Sequence, residues 1–201
     1  MNAVLEHMDA LYAQNADPWR VTQSDYEQRK MSLLLACLPR RTFAHAFEPA
    51  CGTGALSVRL AERCTHLLAG EASGNALRIA RERTARLPNV RVAQQHLPRD
   101  WPRGERFDLI VLSEWLFYLE ADEMTELADC CAASLAPGGV LVACHYRPGF
   151  SDRLMDTDDI HLMLAQALAR APVFGHQTVS HEEPAFRLDC WQARNAPQVQ
   201  P

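Results

Sequence analysis

The sequence predicts an α/β protein built on an open, doubly wound sheet with helices on both faces. Short apolar runs typical of strands alternate with segments of helical periodicity, which is the pattern of successive strand–helix units. "FDLIVLS" and "VLVACHY" are apolar almost throughout, as strands buried on both faces of a parallel sheet are. The last two strand-like runs follow one another directly. We therefore expect a mostly parallel, seven-stranded sheet with a C-terminal antiparallel hairpin.

Helix and strand alternate in the first half of the chain. The segment "SDYEQRKMSLLLACL" should be a helix, because Ser24 and Glu27 stand at the spacing of a capping box. Strand-like "FAHAFEP" and "HLLAGE" are followed by helix-like "GALSVRLAERC" and "SGNALRIARERTAR", and "NVRVAQQ" is a third strand. In the second of these helices Leu77, Ala80 and Thr84 share one side, which predicts its buried face.

The second half continues the alternation. "FDLIVLS" is the fourth strand, "DEMTELADCCAASL" is a helix, and "PGG" should break the chain before the fifth strand, "VLVACHY". "PVFGHQTVSHEEPAFRLDCWQAR" reads as two strands that meet near residues 182–184. Between these parts, apolar residues at helical spacing predict a last amphipathic helix: Ile160, Met163, Leu164, Ala167 and Leu168.

With 201 residues, the chain has room for one α/β domain with a sizeable core. We expect a single domain over residues 1–201. It would consist of an N-terminal helical cap (residues 1–40), a core (residues 41–194) and a disordered tail (residues 195–201).

Charge and cysteine content exclude several classes of function. The net charge of −5 lacks the basic footprint that nucleic-acid binding needs, so we expect no nucleic-acid partner. The seven cysteines are odd in number and contain no CxxC pair, which indicates reduced side chains and no metal site. The N-terminus does not resemble a secretory signal, and the longest apolar run, "MSLLLACL", is too short to span a membrane. We expect a cytoplasmic protein without a membrane partner.

A small-residue loop, "CGTGAL", follows the first predicted strand, where open parallel sheets bind their ligands. The loop has no lysine at the P-loop position, and it lacks the third glycine of a dinucleotide fingerprint. Glu71 ends the second predicted strand, seventeen positions after Gly54. A carboxylate at that place can accept hydrogen bonds from both hydroxyls of a ribose.

Several motifs together resemble the class I S-adenosylmethionine (SAM)-dependent methyltransferases, which have a Rossmann-like fold. They are "FEPACGTG", the "GE" that ends strand two, "FDLIVLSEWLFYL" and "LAPGGVLV". More narrowly, "YEQRKMSLLLACLP", "ERCTHLLAGE", "CHYR" and "TDDIHLML" resemble the nodulation protein S family, over roughly residues 16–194. That family N-methylates the deacetylated, non-reducing glucosamine of chitooligosaccharides. The resemblance implies SAM as the cofactor and S-adenosylhomocysteine (SAH) as its product.

The resemblance also implies a set of cofactor-binding residues. Gly52 and Gly54 would let the backbone approach the methionine part of SAM, Glu48 would organise the loop or face the amino group, and Glu71 would hold the ribose. From their place in the N-terminal helical cap, we infer that Arg29 would pair with the cofactor carboxylate and that Trp19 or Tyr26 would cover the sulfonium. The implied set also includes Gln95, His96 and Leu97, which follow the third strand and would flank the adenine. It is completed by Ala72 after the second strand and Ser113 at the end of the fourth.

The chain departs from the family pattern at two positions of this set. Ala50 stands where a first glycine is commoner, so the turn must avoid positive φ or accept strain. His96 stands where many members carry an aspartate near the adenine, although a neutral imidazole can still accept a hydrogen bond.

The acceptor should bind after strands four and five, beside the methyl group. An amine must be neutral when it attacks, so we expect a proton acceptor there, either Glu114 or His145. The remaining residues that follow these strands or open the last helix are candidates for acceptor binding: Trp115, Tyr118, Arg147, Asp158 and His161. For His161 the alternative is a capping or satisfied interior role.

Three other interpretations remain open from the sequence. The acceptor could be a different small amine, hydroxyl or carboxylate. The protein could also be a SAM-binding partner without turnover, which the intact Gly52, Gly54 and Glu71 disfavour. A nicotinamide enzyme is opposed by the missing third glycine. The sequence does not indicate an oligomeric state.

Overall fold

A computed structural model describes residues 3–171 and 174–195. Its internal contacts divide the chain into two compact units, Met1–Trp101 and Pro102–Pro201. The strands form a seven-stranded, mostly parallel sheet, and the last two form an antiparallel hairpin, so the predicted fold class is confirmed. Apart from Asn195, the predicted disordered tail lies outside the described residues. The boundaries predicted for the cap and the core stay predictions.

The first unit contains four helices and three parallel strands, in the order β3–β2–β1. Its elements are α1 Ala3–Gln14, α2 Asp25–Ala36, β1 Phe43–Glu48, α3 Ala55–Ala61, β2 Cys64–Glu71, α4 Gly74–Thr84 and β3 Val90–Gln94. Helices α1 and α2 precede the first strand, as expected of a helical cap.

Two helices of this unit begin at serine caps. The Ser24 hydroxyl accepts a hydrogen bond from the Glu27 backbone amide, so the cap predicted for α2 is confirmed. The Ser73 hydroxyl accepts from the Ala76 amide at 3.1 Å and starts α4 directly after the second strand. Helix α4 buries the predicted side, which includes Leu77 and Ala80. The Ser73 cap thereby fixes where the loop after β2 ends.

The second unit carries the other four strands, in the order β4–β5–β7–β6, with β7 antiparallel to both of its neighbours. A single 3₁₀ turn, Leu116–Tyr118, follows β4. The other elements of the unit are β4 Phe107–Ser113, α5 Ala121–Ser134, β5 Leu135–Tyr146, α6 Thr157–Arg170, β6 Phe174–Glu182 and β7 Phe186–Ala193. The strands predicted to be continuously apolar are indeed buried, with residues 109–112 of β4 wholly shielded from solvent.

Strand β5 begins earlier than the sequence predicts. The "PGG" segment does not end the α5–β5 connection but lies inside the strand, which pairs with β4 from Leu135 onward. Phe107 pairs with Leu135, and the next pair is Leu109 with Val140, so β5 has extra residues between these two pairs that β4 lacks. Gly138 adopts a φ of 70° in this irregular segment. The prediction of a break was wrong because glycine lets a strand absorb extra residues as a bulge.

None of the helices in the described ranges is both long and apolar enough to cross a membrane. None of the seven cysteines, all of which lie in the described ranges, forms a disulfide.

Candidate active site

The loop after β1 is shaped by three residues in the left-handed region. Ala50, Gly52 and Gly54 have φ angles of 61°, 55° and 75°. Ala50 thus accepts the positive φ that the missing glycine would have taken, and this conformation carries steric strain for a residue with a Cβ. A Cβ on Gly54 would lie 3.3 Å from Ala80 of α4, so the loop packs closely on that helix.

Glu71 joins this loop to the turn after β2. Its Oε2 accepts a hydrogen bond from the Gly52 amide at 2.8 Å, and its Oε1 accepts from the Ser73 amide at 2.8 Å. Burial raises the pKa of Glu71 to about 7, although these amides oppose the shift. The Ala72 amide is a third donor, and since a carboxylate can accept about four hydrogen bonds, Glu71 still has a lone pair for a hydroxyl donor. The neighbouring Ala72 accepts a bond at its carbonyl from the Gln94 side chain.

Glu48 is a second buried carboxylate near the same loop. Its Oε2 accepts a hydrogen bond from the Ser57 hydroxyl of α3 at 2.5 Å. Burial raises the pKa of Glu48 to about 8, and the negative charge of Glu71 contributes to the shift. No lysine or arginine among the described residues forms a salt bridge with either carboxylate. Two buried acids so placed favour a ligand that brings positive charge.

Helix α1 is tied to the end of β2 by Asp9, a residue that the sequence reading missed. The Asp9 Oδ1 accepts from the Ser73 hydroxyl at 2.5 Å and from the Asn75 amide at 3.0 Å. These bonds, first that of the Asn75 amide, lower the pKa of Asp9. The Tyr12 hydroxyl on the same helix lies 3.1 Å from where a Cβ of Gly52 would be. Helix α1 therefore lies against the glycine loop.

The other predicted cap residues lie on the surface of the first unit. Trp19 is 44% exposed and meets the Tyr12 ring edge-on, with 5.5 Å between centroids. Tyr26 lies under the Lys30 ammonium, 4.9 Å from the ring centroid, and Arg29 is exposed on α2. Their contacts with a cofactor stay predictions.

Gln95 follows β3 and packs over β2. Its side chain occupies the space that a Cβ on Gly70 would need, and its Nε2 donates to the Asp100 carbonyl at 3.2 Å. Its Oε1 is buried without a hydrogen-bond partner among the described residues. The His96 amide donates to Asp100 Oδ2 at 2.9 Å, so Asp100, also missed in the sequence, orders the predicted His96–Leu97 segment. In the sequence, the glycine at position 70, directly before Glu71, was the available signal that a side chain such as Gln95 packs closely over β2.

In the second unit, Glu114 follows Ser113 at the end of β4 in a strained conformation. Its φ is 65°, its amide donates to the Cys144 carbonyl at 3.1 Å, and its Oε2 accepts from the Tyr146 amide at 3.0 Å. Glu114 thus joins the ends of β4 and β5. Strain at a non-glycine residue of this kind is common at functional sites.

Trp115 and Tyr118 present polar atoms in an apolar setting. The Trp115 Nε1 is buried without a hydrogen-bond partner among the described residues. Burial, followed by the charges of Asp152 and Glu114, raises the pKa of Tyr118 to about 12. The Tyr118 ring packs with Phe117 and Phe150, at centroid distances of 4.7 and 5.8 Å.

Arg147 and Asp158 line a polar depression of about 310 Å³, together with Arg153, Asp156, Thr157 and Asp159. Arg147 Nη2 lies 2.9 Å from Asp158 Oδ2, and Arg187 Nη1 lies 3.2 Å from Asp158 Oδ1. Burial opposes the shift, but these guanidinium groups lower the pKa of Asp158. Arg147 and Asp158, both predicted from the sequence to bind the acceptor, thus lie at one depression, and their role in binding stays a prediction.

His145 and His161 are brought together, but in the interior rather than at this depression. Both are fully buried, and Nδ1 of His145 lies 3.1 Å from Nε2 of His161. The other nitrogen of His161 lies 2.7 Å from Oδ2 of Asp189. Asp189 was missed, although an aspartate inside the apolar run "LDCW" signals a buried carboxylate with a specific partner. In the described ranges, no group of three or more histidine, cysteine, aspartate or glutamate side chains is arranged so that it could hold a metal ion.

The comparison with known proteins decides the family. The family model described as Nodulation protein S matches residues 6–149. The chain belongs to the nodulation protein S family. Curated relatives named Nodulation protein S come from Rhizobium tropici, at 31% identity over 128 residues, and Bradyrhizobium diazoefficiens, at 32% over 129 residues. These alignments cover 63% of this chain but only 53% and 61% of the relatives, so the chain spans little more than half of their length.

Solved structures of similar proteins share the fold of this member of the nodulation protein S family. A candidate methyltransferase from Pseudomonas syringae is 43% identical, with a TM-score of 0.71, and the match covers 83% of this chain and 98% of that one. The N-methyltransferase NodS from Bradyrhizobium japonicum, in complex with SAH, is 23% identical with a TM-score of 0.82. That match covers 96% of this chain and 99% of the other, and it shows a shared fold.

Proposed function

We propose that this protein is a SAM-dependent methyltransferase that N-methylates a small amine or amino sugar. The most concrete acceptor is the deacetylated glucosamine of a chitooligosaccharide-like molecule. The observation that carries the proposal is the Glu71 carboxylate, which holds the left-handed glycine loop at Gly52 in a member of the nodulation protein S family. The related B. japonicum protein is named an N-methyltransferase and was solved with SAH.

The residues of the first unit fit SAM. The cofactor carries an ammonium and a sulfonium, and the buried carboxylates of Glu48 and Glu71 favour a cationic ligand. Glu71 has a lone pair for a ribose hydroxyl, and the buried Oε1 of Gln95 is an acceptor suited to the adenine amino group. Gly52 adds no side chain of its own to the loop, and the neighbouring Tyr12 hydroxyl lies 3.1 Å from where its Cβ would be. When bound, SAM supplies a methyl group already activated by its sulfonium.

The residues of the second unit fit an amine acceptor. Glu114 places a carboxylate at the end of β4, where it can hold an ammonium, and either Glu114 or His145 can take its proton. The buried Trp115 N–H is a donor for an acceptor oxygen. Holding the amine in line with the methyl group can supply roughly 7–11 kcal/mol of the barrier reduction.

The charge of the polar depression favours an amine or a sugar over a carboxylate. Its lining carries the three carboxylates of Asp156, Asp158 and Asp159 against the two guanidinium groups of Arg147 and Arg153. An anionic acceptor would meet net repulsion there, whereas sugar hydroxyls can bond to both kinds of group. The alternatives are methylation of another nitrogen, oxygen or carboxylate acceptor, and a SAM-binding partner protein without turnover.

The test is methyl transfer from labelled SAM to two chitooligosaccharides, one fully acetylated and one deacetylated at its non-reducing end. We expect label on the deacetylated chain alone. Label on neither chain, with turnover on other small amines, would replace the sugar by another acceptor. SAH binding without turnover on any acceptor would favour the non-catalytic alternative. The test variant is Glu71→Gln, which should abolish transfer. Its matched control is the exposed Glu82→Gln on α4, which should not.

A further inference from the structure

A row of buried polar side chains links three elements of the second unit. His145 on β5, His161 on α6 and Asp189 on β7 are all fully buried. The distances between successive partners are 3.1 Å and 2.7 Å. Burying three polar groups costs free energy unless each is paired, so their alignment needs a physical reason.

Asp189 is the charged end of this row of side chains. Its Oδ2 also accepts from Arg187 Nε at 2.8 Å, and its Oδ1 accepts from Gln177 Nε2 at 2.9 Å. Burial opposes ionisation, but the bond from His161 and the other donors outweigh it and lower the pKa of Asp189. An ionised carboxylate can only accept hydrogen bonds, so the proton in its contact with His161 is on Nδ1 of the imidazole.

The proton positions of both imidazoles follow from that one assignment. Burial lowers the pKa of His161 against the opposing effect of Asp189, so the ring is neutral near neutral pH. A neutral ring with its proton on Nδ1 has a lone pair on Nε2, which must accept from Nδ1–H of His145. His145 therefore keeps its own lone pair on Nε2.

We propose that His161 and Asp189 are positioning residues that hold His145 as the Nδ1–H tautomer, so that Nε2 of His145 takes the proton of the amine acceptor. This inference rests on the proposed N-methyltransferase function. The N–H bond of the acceptor ammonium breaks, its electron pair stays on nitrogen, and the proton bonds to His145 Nε2. The Nδ1 proton of His145 can then move to Nε2 of His161, which places the positive charge on the ring beside Asp189.

The groups around the imidazole pair suit a temporary positive charge. The charged side chains that act on His161 are Asp189 and Arg187 from β7 and Asp158 from its own helix, while Ser180 of β6 also bonds to Asp189. Arg187 is shared with Asp158, whose Oδ1 lies 3.2 Å from its Nη1. The negative charge of Asp189 lies directly beside the ring and favours a proton on His161.

Phe117 covers His145 in this structure. Its ring lies edge-on to the imidazole with 5.9 Å between centroids, and its carbonyl accepts from the Leu154 amide at 2.8 Å. Since His145 has no exposed surface, the proposal requires Phe117 to shift when the acceptor binds. Until then the aromatic cover keeps bulk water from the imidazole.

The test combines imidazole ¹⁵N NMR of the full chain with methyl-transfer rates. The signal of His145, assigned by its loss in His145→Gln, should show a protonated Nδ1 and a lone pair on Nε2. Adding the deacetylated chitooligosaccharide together with SAH should change the Nε2 signal. A tautomer with the proton on Nε2, or an Nε2 signal that ignores an acceptor that is turned over, overturns the proposal.

Two substitutions of similar volume separate positioning from packing. In His161→Gln the amide oxygen can accept from His145 and the amide N–H can donate to Asp189, whereas His161→Leu can do neither. We expect His161→Gln to keep the tautomer and to transfer methyl at least about tenfold faster than His161→Leu. The exposed His176→Gln on β6 should match the unmodified protein. Equal tautomers and equal rates in the two His161 variants would overturn the proposal.

Failure of the proposed function gives a different result. If the unmodified protein transfers methyl to no acceptor, the function proposal fails and the catalytic part of this inference falls with it. The NMR spectra of the two His161 variants still decide whether Asp189 sets the tautomer of His145 through His161.

Discussion

The Glu71 carboxylate accepts a hydrogen bond from the Gly52 amide, nineteen residues earlier in the chain, at 2.8 Å. The residue expected to hold the ribose thus also holds the loop that would face the methionine part of the cofactor. One side chain links the two halves of the predicted cofactor site before any ligand binds. Preorganisation of this kind lowers the entropy that binding must overcome.

Glu71→Gln should therefore weaken SAH binding at least about tenfold, or about 1.4 kcal/mol, because a hydroxyl acceptor and a loop contact are both impaired. Calorimetric titration with SAH measures the change, and Glu82→Gln is the control. Equal affinity in Glu71→Gln and the unmodified protein would separate Glu71 from cofactor binding.

The stability of the ligand-free protein should fall as pH rises toward 8. The pKa values of Glu71 and Glu48 are raised to about 7 and about 8 from ordinary values of 4.5. The folded state therefore binds these protons more tightly, and their contribution is fully present below pH 4.5 and lost as pH rises through 7 to 8.

Urea unfolding between pH 5 and pH 8.5 measures the slope of the free energy of unfolding against pH. Each unit by which a pKa is raised contributes about 1.4 kcal/mol to the total change. Glu48→Gln should flatten this slope. The same slope in Glu48→Gln and the unmodified protein would show that Glu48 is not the group that titrates.

Ala50→Gly should be neutral or stabilising by up to about 1 kcal/mol. Relief of the left-handed strain, about 1–2 kcal/mol, is partly offset by the greater entropy of glycine in the unfolded chain, about 0.5–1 kcal/mol. Urea unfolding measures the difference. The control is Ala165→Gly inside helix α6, which should cost about 1 kcal/mol. If Ala50→Gly were as costly as the control, the φ of 61° at Ala50 would not be a source of strain.

Trp115→Phe should leave the free energy of unfolding unchanged or raise it slightly while the KM for the acceptor rises about tenfold. The indole N–H is a buried donor without a partner among the described residues, so its removal costs the folded protein no hydrogen bond. Acceptor titrations at saturating SAM, alongside urea unfolding, test both halves. Trp101→Phe, at a buried ring packed on Phe47, should instead destabilise by about 1–2 kcal/mol. A large loss of stability in Trp115→Phe would assign the indole to packing.

Asp9→Ala should loosen helix α1. Asp9 makes charge-assisted bonds to Ser73 and Asn75, and their loss should raise hydrogen exchange of residues 4–14 and speed SAH dissociation about tenfold. Glu6→Ala, at an exposed position on the same helix, is the control. Identical exchange in the two variants would show that the Asp9 bonds do not restrain α1.

The regular part of the fold was predictable because its signals are local. The Ser24 cap of α2 and the near-continuous apolar run of β4 each follow from neighbouring residues, and the structure confirms both. The start of β5 was not predictable, because whether "PGG" ends a strand or forms a bulge within it depends on the pairing of Leu135 with Phe107.

The site divides in the same way. Glu71 and the glycine loop were accessible through their spacing and the family resemblance. Asp9 and Asp189 were not, because each bonds to residues far away in sequence: Asp9 to Asn75 and Asp189 to His161. The sequence indicated Arg147 and Asp158 separately but did not predict their ion pair. It left open whether His161 faces the interior, since a helix start exposes or buries its residues according to packing.

The most direct measurement is the position of the methyl group after reaction. The 201-residue chain is incubated with SAM labelled on its methyl group and a chitooligosaccharide deacetylated at its non-reducing end, and the product is analysed by mass spectrometry and NMR. We predict label on the free amine nitrogen and release of SAH, with no transfer by Glu71→Gln. Intact SAM and unlabelled acceptor, from a protein that binds SAH, would contradict this function.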